Sequence, residues 1–371
     1  MSKQVPYFSF TSAPRGLKSK WKSAAAEVID NGQFIGGHFV TKFESEFGKF
    51  LKCKNVVGVG NGLDGLAIAL KSLGVGKGDT VAVPAHTFIA CWLAIEQVGA
   101  TPVGIDVDER GLIDLDELES IFPTPRAVIP VHLHGAMVDM ERLSKWAANF
   151  DVLVVEDASQ AHGASQHEVF SGAWGDAGVF SLYPSKNLGA AGDAGIIVFK
   201  NRRFAEVARS IRSYGSNPDD KYDHVIAGMN SRLDPIQAAI LSVNLSFLES
   251  WNKSRIEIAE HYSSQLDGKI QILQDMTCES VRHHFPILVA NPHDVGRFLQ
   301  ENGIGTERHY PNLASSEYFR FNQMPEKYFK KSDFITSRTL SLPISPWHTF
   351  KEIDYVCEIL LLGLRKGLIK E

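Results

Sequence analysis

Four stretches of this chain combine residue types and spacings that could do chemistry. The first is Phe-Ser-Leu-Tyr-Pro-Ser-Lys-Asn-Leu-Gly, residues 180–189, where Lys186 stands among apolar and small residues. Burial disfavours the charged form of an amine, lowers its pKa and makes it a usable nucleophile. A lone loop lysine is more often a solvated surface charge. Ser181, five residues earlier, offers a hydroxyl to a phosphate. The second stretch is Val-Val-Glu-Asp-Ala-Ser-Gln-Ala-His-Gly, residues 154–163. Its acidic pair follows an apolar run, at the carboxyl end of a strand, where open α/β sheets bind ligands. Asp157 could pair there with a cation or simply cap a helix.

The third stretch, residues 57–66, reads Val-Gly-Val-Gly-Asn-Gly-Leu-Asp-Gly-Leu, a strand entering a glycine-rich turn and then a helix. Free amides at a helix N-terminus, with the helix dipole, suit a phosphate. The stretch matches neither the Walker pattern nor GxGxxG in full, and a bare strand-to-helix turn explains it equally well. The fourth, residues 228–239, sets Asp234 and Pro235 as cap and first-turn residue of a helix, next to Asn230 and Arg232. Taken together the stretches say more than each alone. A phosphate cradle, a carboxylate at a strand end and a lysine 29 residues beyond it form the order that pyridoxal phosphate requires. The lysine holds that cofactor as a Schiff base. The aspartate keeps the pyridine nitrogen protonated, which makes the ring an electron sink.

The elements that must position these groups alternate strand and helix. Strands are expected at Val56–Val59, Thr80–Val83, Pro102–Asp106, Ala127–Leu133 and Val152–Val155, with helices at Leu63–Leu73, Ile89–Val98, Asp114–Ile121 and Met140–Asn149. Continuous apolar strands are buried on both faces, and the alternation implies right-handed crossovers in a mostly parallel sheet. Strands Gly178–Leu182 and Gly195–Phe199 flank the lysine loop. A helix Phe204–Arg212 precedes an irregular surface excursion, Gly215–Gly228. One long helix is expected from Asp234 to about Leu266, leading into strands His284–Val289 and Gly305–His309 and helices Asp294–Asn302 and Phe350–Lys366. The expectation is an α/β protein with a large domain, 1–240, and a smaller α+β domain, 241–371.

The 371 residues, 44% hydrophobic and 22% charged, exclude a disordered or collagen-like chain. The net charge of −5 argues against a dedicated nucleic-acid binder. The short cluster Arg15, Lys18, Lys20, Lys22 reads as a solvated helix face. Cys53, Cys91, Cys278 and Cys357 are scattered without CxxC spacing, which suggests free thiols and no metal site. No signal peptide and no apolar run of membrane-spanning length is apparent, so the expectation is a soluble cytoplasmic protein.

With these motifs in view, the chain resembles the DegT/StrS family of nucleotide-sugar aminotransferases, of fold type I. The likeness runs from Gln33-Phe34-Ile35-Gly36-Gly37 through the glycine turn, Pro84-Ala85-His86-Thr87-Phe88, Glu156 to Gly163, Lys186-Asn187-Leu188-Gly189 and Asn230-Ser231-Arg232 to His309-Tyr310-Pro311. The resemblance implies that Lys186 bonds the cofactor and shuttles a proton. It implies that Asp157 pairs with the pyridinium, Gln160 bonds the phenolic oxygen, and Phe88 and Ala158 cover the two ring faces. The amides of Gly62, Leu63 and Asp64, with Ser181, would hold the phosphate. Leu63 lacks the hydroxyl many relatives carry there, but a backbone amide still serves. Asn230 would reach the cofactor phosphate of a neighbouring subunit, since family active sites lie at a homodimer interface.

The resemblance also bears on substrate. Asn61-Gly62-Leu63-Asp64, and Tyr183 before Pro184, are similar to members that aminate C3 of a dTDP-3-keto-6-deoxyhexose. It implies glutamate as amino donor and a galacto or gluco acceptor. Tyr183, His309 and Tyr310 would face the sugar, Tyr222 would reach in from the partner subunit, and Arg232 would meet the anionic nucleotide. Asn312-Leu313-Ala314-Ser315 departs from the family pattern after Pro311. A C4 aminotransferase is the alternative, and a non-catalytic regulatory protein on this fold a remote one.

Overall fold

The computed structural model describes residues 4–217, 219–274, 276, 279–311 and 329–369, so Cys278 and residues 312–315 lie outside the described residues. The strands are β1 (Asn55–Val59), β2 (Thr80–Pro84), β3 (Thr101–Ile105), β4 (Ala127–Val128), β5 (Leu153–Asp157), a short hairpin β6 (Ser165–Gln166) and β7 (Val169–Phe170), β8 (Ala177–Ser181) and β9 (Gly195–Phe199). Seven of them form one sheet in the order β1-β9-β8-β5-β4-β2-β3. The stretch from β8 to β3 is parallel, as crossover connections demand. By contrast β9 runs antiparallel to both β8 and β1. The lysine-bearing loop turns the chain straight back from β8 to β9, with no crossover helix between them.

The sheet is covered on both faces. Val57, Val59, Ile197 and Phe199 join one apolar cluster, and Val56, Ile196, Val198 and Phe180 another. Alternate residues of one strand point to opposite faces, which is why uninterrupted apolar runs were needed. Helices α1 (Arg15–Asn31) and α2 (His38–Leu51) pack on α8 (Pro235–Leu245). Arg15, Lys20 and Lys22 stand exposed on α1.

A second lobe has its own core. Strands β10 (Gln271–Ile272), β11 (Phe285–Leu288) and β12 (Thr339–Leu342) form an antiparallel sheet. It packs with the later part of α9 (Leu248–Leu266) and with the C-terminal helix Phe350–Arg365. Val5 is fully buried in that core and pairs with Ile304.

Several expectations are corrected. The strand drawn over Ala127–Leu133 keeps only its first two residues. Pro130 has no N–H to donate, and the chain goes on as one isolated pairing, Val131 with Asp157, and a 3-10 turn at Leu133–Gly135. Gly305–His309 forms only an isolated pairing, Glu307 with Ser341. The long helix is two helices, α8 and α9, parted at Ser246 and Phe247. A division at 240/241 would cut α8, whose Ala238, Ala239 and Leu241 belong to the large lobe's core. Apart from Val5, the second core's residues begin at Ile258, inside α9.

Candidate active site

The glycine turn is built for close approach. α3 (Gly62–Ser72) starts beside the end of β8, and a Cβ on Gly62 would stand 2.8 Å from the Ser181 Cβ. Asn61 caps the helix: its Oδ1 accepts the Asp64 N–H at 2.8 Å, and its Nδ2 donates to Asp64 Oδ2 at 3.0 Å. The Asp64 amide is therefore already engaged, which corrects its expected part in a phosphate site. Gly62 and Leu63 keep amides without a protein acceptor among the described residues, at the positive end of the helix dipole.

Asp157 ends β5. Its Oδ1 accepts the Ser159 N–H at 3.0 Å and its Oδ2 accepts the Cys91 thiol at 3.0 Å. Beside it, Glu156 is fully buried and accepts the amides of Gly172, Trp174 and Gly175, locking the return of the chain into β8. On β8, the Ser181 amide donates to Ser159 Oγ at 2.9 Å, fixing one strand end to the other.

Lys186 sits in a tight loop, its amide bonded to the Tyr183 carbonyl at 2.9 Å. The loop needs Gly189, since a Cβ there would lie 2.2 Å from the Pro184 carbonyl oxygen. Asn187 ties it down by bonding Asn252 and the Val281 carbonyl. Burial pushes the Lys186 ammonium down to about 8, against the opposing pull of Asp157 and Cys91. Its Nζ has no protein hydrogen-bond partner among the described residues.

These groups share a cavity of about 330 Å³. Gly62, Leu63, Asp157, Ser181 and Lys186 line it at the large lobe, with Phe88, Gln160 and Tyr183. His309 and Tyr310 close it from the second lobe. Tyr310 lies 5.4 Å from Phe88, ring to ring, and its hydroxyl accepts from Gln160 Nε2 at 2.8 Å. Gln160 Oε1 accepts the His134 amide, so one Gln160 amide proton is left for a ligand. Ala158 is fully buried in the apolar cluster with Phe180 and Leu182 and is absent from the cavity wall, which corrects its expected place over a cofactor ring.

Lys186 is the one lysine or arginine lining this cavity among the described residues. Cations collect elsewhere, in a cleft of about 1010 Å³ lined by Arg209, Lys221, Tyr222, His224 and Arg232. Arg232 lies over the Tyr214 ring at 5.8 Å, and Asn230 is exposed beside it, pairing with Ser213. Asn230, Tyr222 and Arg232 thus fall outside the Lys186 cavity of their own chain.

Sequence reasoning missed Cys91, His283, His284 and Tyr7. Cys91 follows Thr87 by four residues, one helical turn, and their side chains meet at 3.4 Å. The adjacent His283 and His284 before an apolar strand were a visible signal left unused. His283 Nδ1 meets Asn187 Oδ1 at 2.9 Å, next to the lysine.

The arrangement fits pyridoxal phosphate on the observations above: two free helix amides beside a hydroxyl, a carboxylate at a strand end, and an enclosed amine without a partner. Comparison with known proteins agrees. A model of the DegT/DnrJ/EryC1/StrS aminotransferase family matches residues 17–361. The chain is 38% identical over 349 residues to the dTDP-3-amino-3,4,6-trideoxy-alpha-D-glucose transaminase of Streptomyces venezuelae, covering 92% of each chain. It is 36% identical over 358 residues to the dTDP-3-amino-3,6-dideoxy-alpha-D-galactopyranose transaminase of Aneurinibacillus thermoaerophilus, covering 95% of this chain and 98% of that one. Among solved structures, S. venezuelae DesV in complex with a ketimine intermediate superposes with a TM-score of 0.92 at 37% identity, covering 97% of this chain and 98% of DesV. Aminotransferases of this kind depend on pyridoxal phosphate. By its motifs, its fold and this full-length likeness, the chain belongs to the DegT/DnrJ/EryC1/StrS aminotransferase family.

Proposed function

We propose that this protein moves an amino group from glutamate to C3 of a dTDP-3-keto-6-deoxy-D-hexose of galacto or gluco configuration, giving a dTDP-3-amino-3,6-dideoxyhexose. The observation that carries the reading is the enclosed Lys186 amine, held near pKa 8 and facing the same cavity as Asp157 and the α3 amides. When bound, pyridoxal phosphate supplies an aldehyde that links to amines and a ring that accepts electrons. Lys186 would hold it covalently, Asp157 would face its ring nitrogen, and Gly62, Leu63 and Ser181 would take its phosphate. Freed by substrate, the Lys186 amine can take a proton from the amine-bearing carbon and return it. Two relatives named for 3-amino sugars support C3.

The acceptor's nucleotide diphosphate needs cations that the Lys186 cavity does not line itself with. Arg232, with Tyr222, would meet it from a second copy of the chain, whose Asn230 would reach the cofactor phosphate. This reading makes the working unit a homodimer with composite sites.

The test is a product assay. Purified enzyme, glutamate and a panel of 3-keto and 4-keto dTDP- and UDP-sugars are incubated, and products are read by mass spectrometry and NMR. Amine on C3 of the dTDP sugar is expected. Amine found only on C4 rejects the regiochemistry, and no amination of any sugar rejects the substrate class.

A further inference from the structure

Two backbone carbonyls fix the polarity of one imidazole on the cavity wall. Asn252 Nδ2 donates to the His162 carbonyl at 2.7 Å, which turns Asn252 Oδ1 toward Asn187. Asn187 Nδ2 then donates to Asn252 Oδ1 at 2.9 Å and to the Val281 carbonyl at 3.1 Å. Both of these oxygens only accept, so the Asn187 amide cannot be turned over. Its Oδ1 is left facing His283 Nδ1 at 2.9 Å. An amide oxygen only accepts, so His283 Nδ1 carries the proton of that bond. All three side chains are buried. The His283 backbone is held as well: its amide donates to the His134 carbonyl at 2.9 Å, and its carbonyl accepts from Arg255 at 3.2 Å.

The far side of the ring is open. His283 lines the cavity together with Lys186. Its Nε2 has no protein hydrogen-bond partner among the described residues, and it is not one of the sealed, partnerless atoms. Burial, then the Lys186 and Arg255 charges, hold the ring well below the usual histidine range, so it stays neutral with a single proton. That proton is already on Nδ1. The cavity-facing Nε2 is therefore a bare lone pair, and it cannot switch to a donor while Asn187 stays in place.

We propose that Asn187 is a positioning residue that locks His283 as a hydrogen-bond acceptor for a hydroxyl beside the keto carbon of the sugar acceptor. This rests on the keto-sugar reading given above. Glutamate, linked through its amine, offers the cavity two carboxylates, and a carboxylate only accepts. The keto sugar offers hydroxyls, which can donate. A lone pair fixed on the wall opposes the first and holds the second, in a cavity that must admit both. Asn187 directly follows Lys186, so the bond it makes ties the acceptor to the loop that carries the reacting amine.

The test uses the intact, cofactor-loaded protein with His283→Asn and, separately, Asn187→Ala. The shorter amide of His283→Asn can still donate to Asn187 but has nothing in the place of Nε2, and cofactor absorbance certifies folding. The sugar half-reaction, followed with the keto sugar found in the product assay, is expected to lose about tenfold in kcat/KM, the scale of one hydrogen bond. The glutamate half-reaction should change by less than that. For one of the two sugar analogues lacking a hydroxyl next to the ketone, the loss should already be present in the parent protein and should not grow in His283→Asn. Nitrogen-15 spectra of histidine-labelled protein, with His283 assigned by its absence in His283→Asn, should show the proton on Nδ1 and a bare Nε2. In Asn187→Ala the other tautomer should appear. Equal losses in the two half-reactions would mean that Nε2 serves the Lys186 amine and would overturn the proposal, as would no loss in either. A proton on Nε2 in the parent protein would overturn it whatever the substrate. A bare Nε2 in a protein that aminates no keto sugar would leave the Asn187 lock standing and reject the sugar reading.

Discussion

Cys91 donates its thiol proton to Asp157 Oδ2 across 3.0 Å, inside a fully buried contact that also takes in Thr87. Burial, then the Asp157 charge, pushes the thiol's pKa well up, so it stays a donor throughout the working range. The bond holds the carboxylate at one rotamer. Cys91→Ala should therefore loosen Asp157 and weaken cofactor binding about fivefold, from roughly 1 kcal/mol for a bond of this kind. Cys91→Ser should retain most of the affinity. Fluorescence titration of the apoprotein with pyridoxal phosphate measures both, and equal affinities in all three proteins would refute the role.

The Lys186 shift has a pH consequence of definite sign. Burial penalises the ammonium, so the neutral amine appears at lower pH than in water. With a pKa of about 8, about a tenth of the amine is neutral at pH 7 and half at pH 8. Capture of pyridoxal phosphate by the apoprotein should thus speed up with a midpoint near pH 8, measurable by stopped-flow absorbance. A midpoint above 10 would mean that the lysine is solvated. Lys186→Ala should lose the borohydride-reducible attachment and turnover at every pH.

Gly62 faces Ser181 at a separation that leaves no room for a side chain. Gly62→Ala should push the start of α3 away from β8 and spoil the free amides, at about 1–3 kcal/mol for an overpacked contact. The expected result is at least a tenfold loss of affinity for pyridoxal phosphate, with little change for pyridoxal, which has no phosphate to place. Equal losses for the two ligands in dialysis would show a general collapse of the cavity instead.

If Arg232 serves a partner's cavity, two inactive proteins should rescue each other. Lys186→Ala and Arg232→Ala, unfolded together and refolded as a mixture, should form hybrid dimers in which one of two sites has both groups. Activity should return well above that of either parent, and size-exclusion chromatography checks that dimers form. Persistent inactivity in verified hybrids would place Arg232 in its own chain's site.

The cofactor end was legible because its residues sit at element ends. Gly62 begins a helix, Asp157 ends a strand, and Lys186 stands in the loop between two strands, so a short motif carries each with its geometry. The opposite end was not. Tyr7, His284, His309 and Ser341 come from four distant points of the chain and meet in pairs, Tyr7 with His284 and Ser341 with His309, which no short motif carries. The Asp64 amide was misjudged because Asn61 competes for it locally, a choice that glycine spacing does not encode. The antiparallel β9 was readable from the loop without a helix before it. The break between α8 and α9 was not, since apolar spacing continues through Leu245 and Leu248.

Helix α9 begins in one core, at Leu248, and ends in the other, at Leu266. This bears on transplanting the sugar-facing half between relatives. A cut at Ser246 and Phe247 would keep α9 whole, whereas a cut at Ile258 would break it. The cassette must also carry the segment from Val5 to Tyr7, which comes first in the chain yet packs with the last. A graft of the C-terminal half alone would deliver His284 without the phenol that orients it.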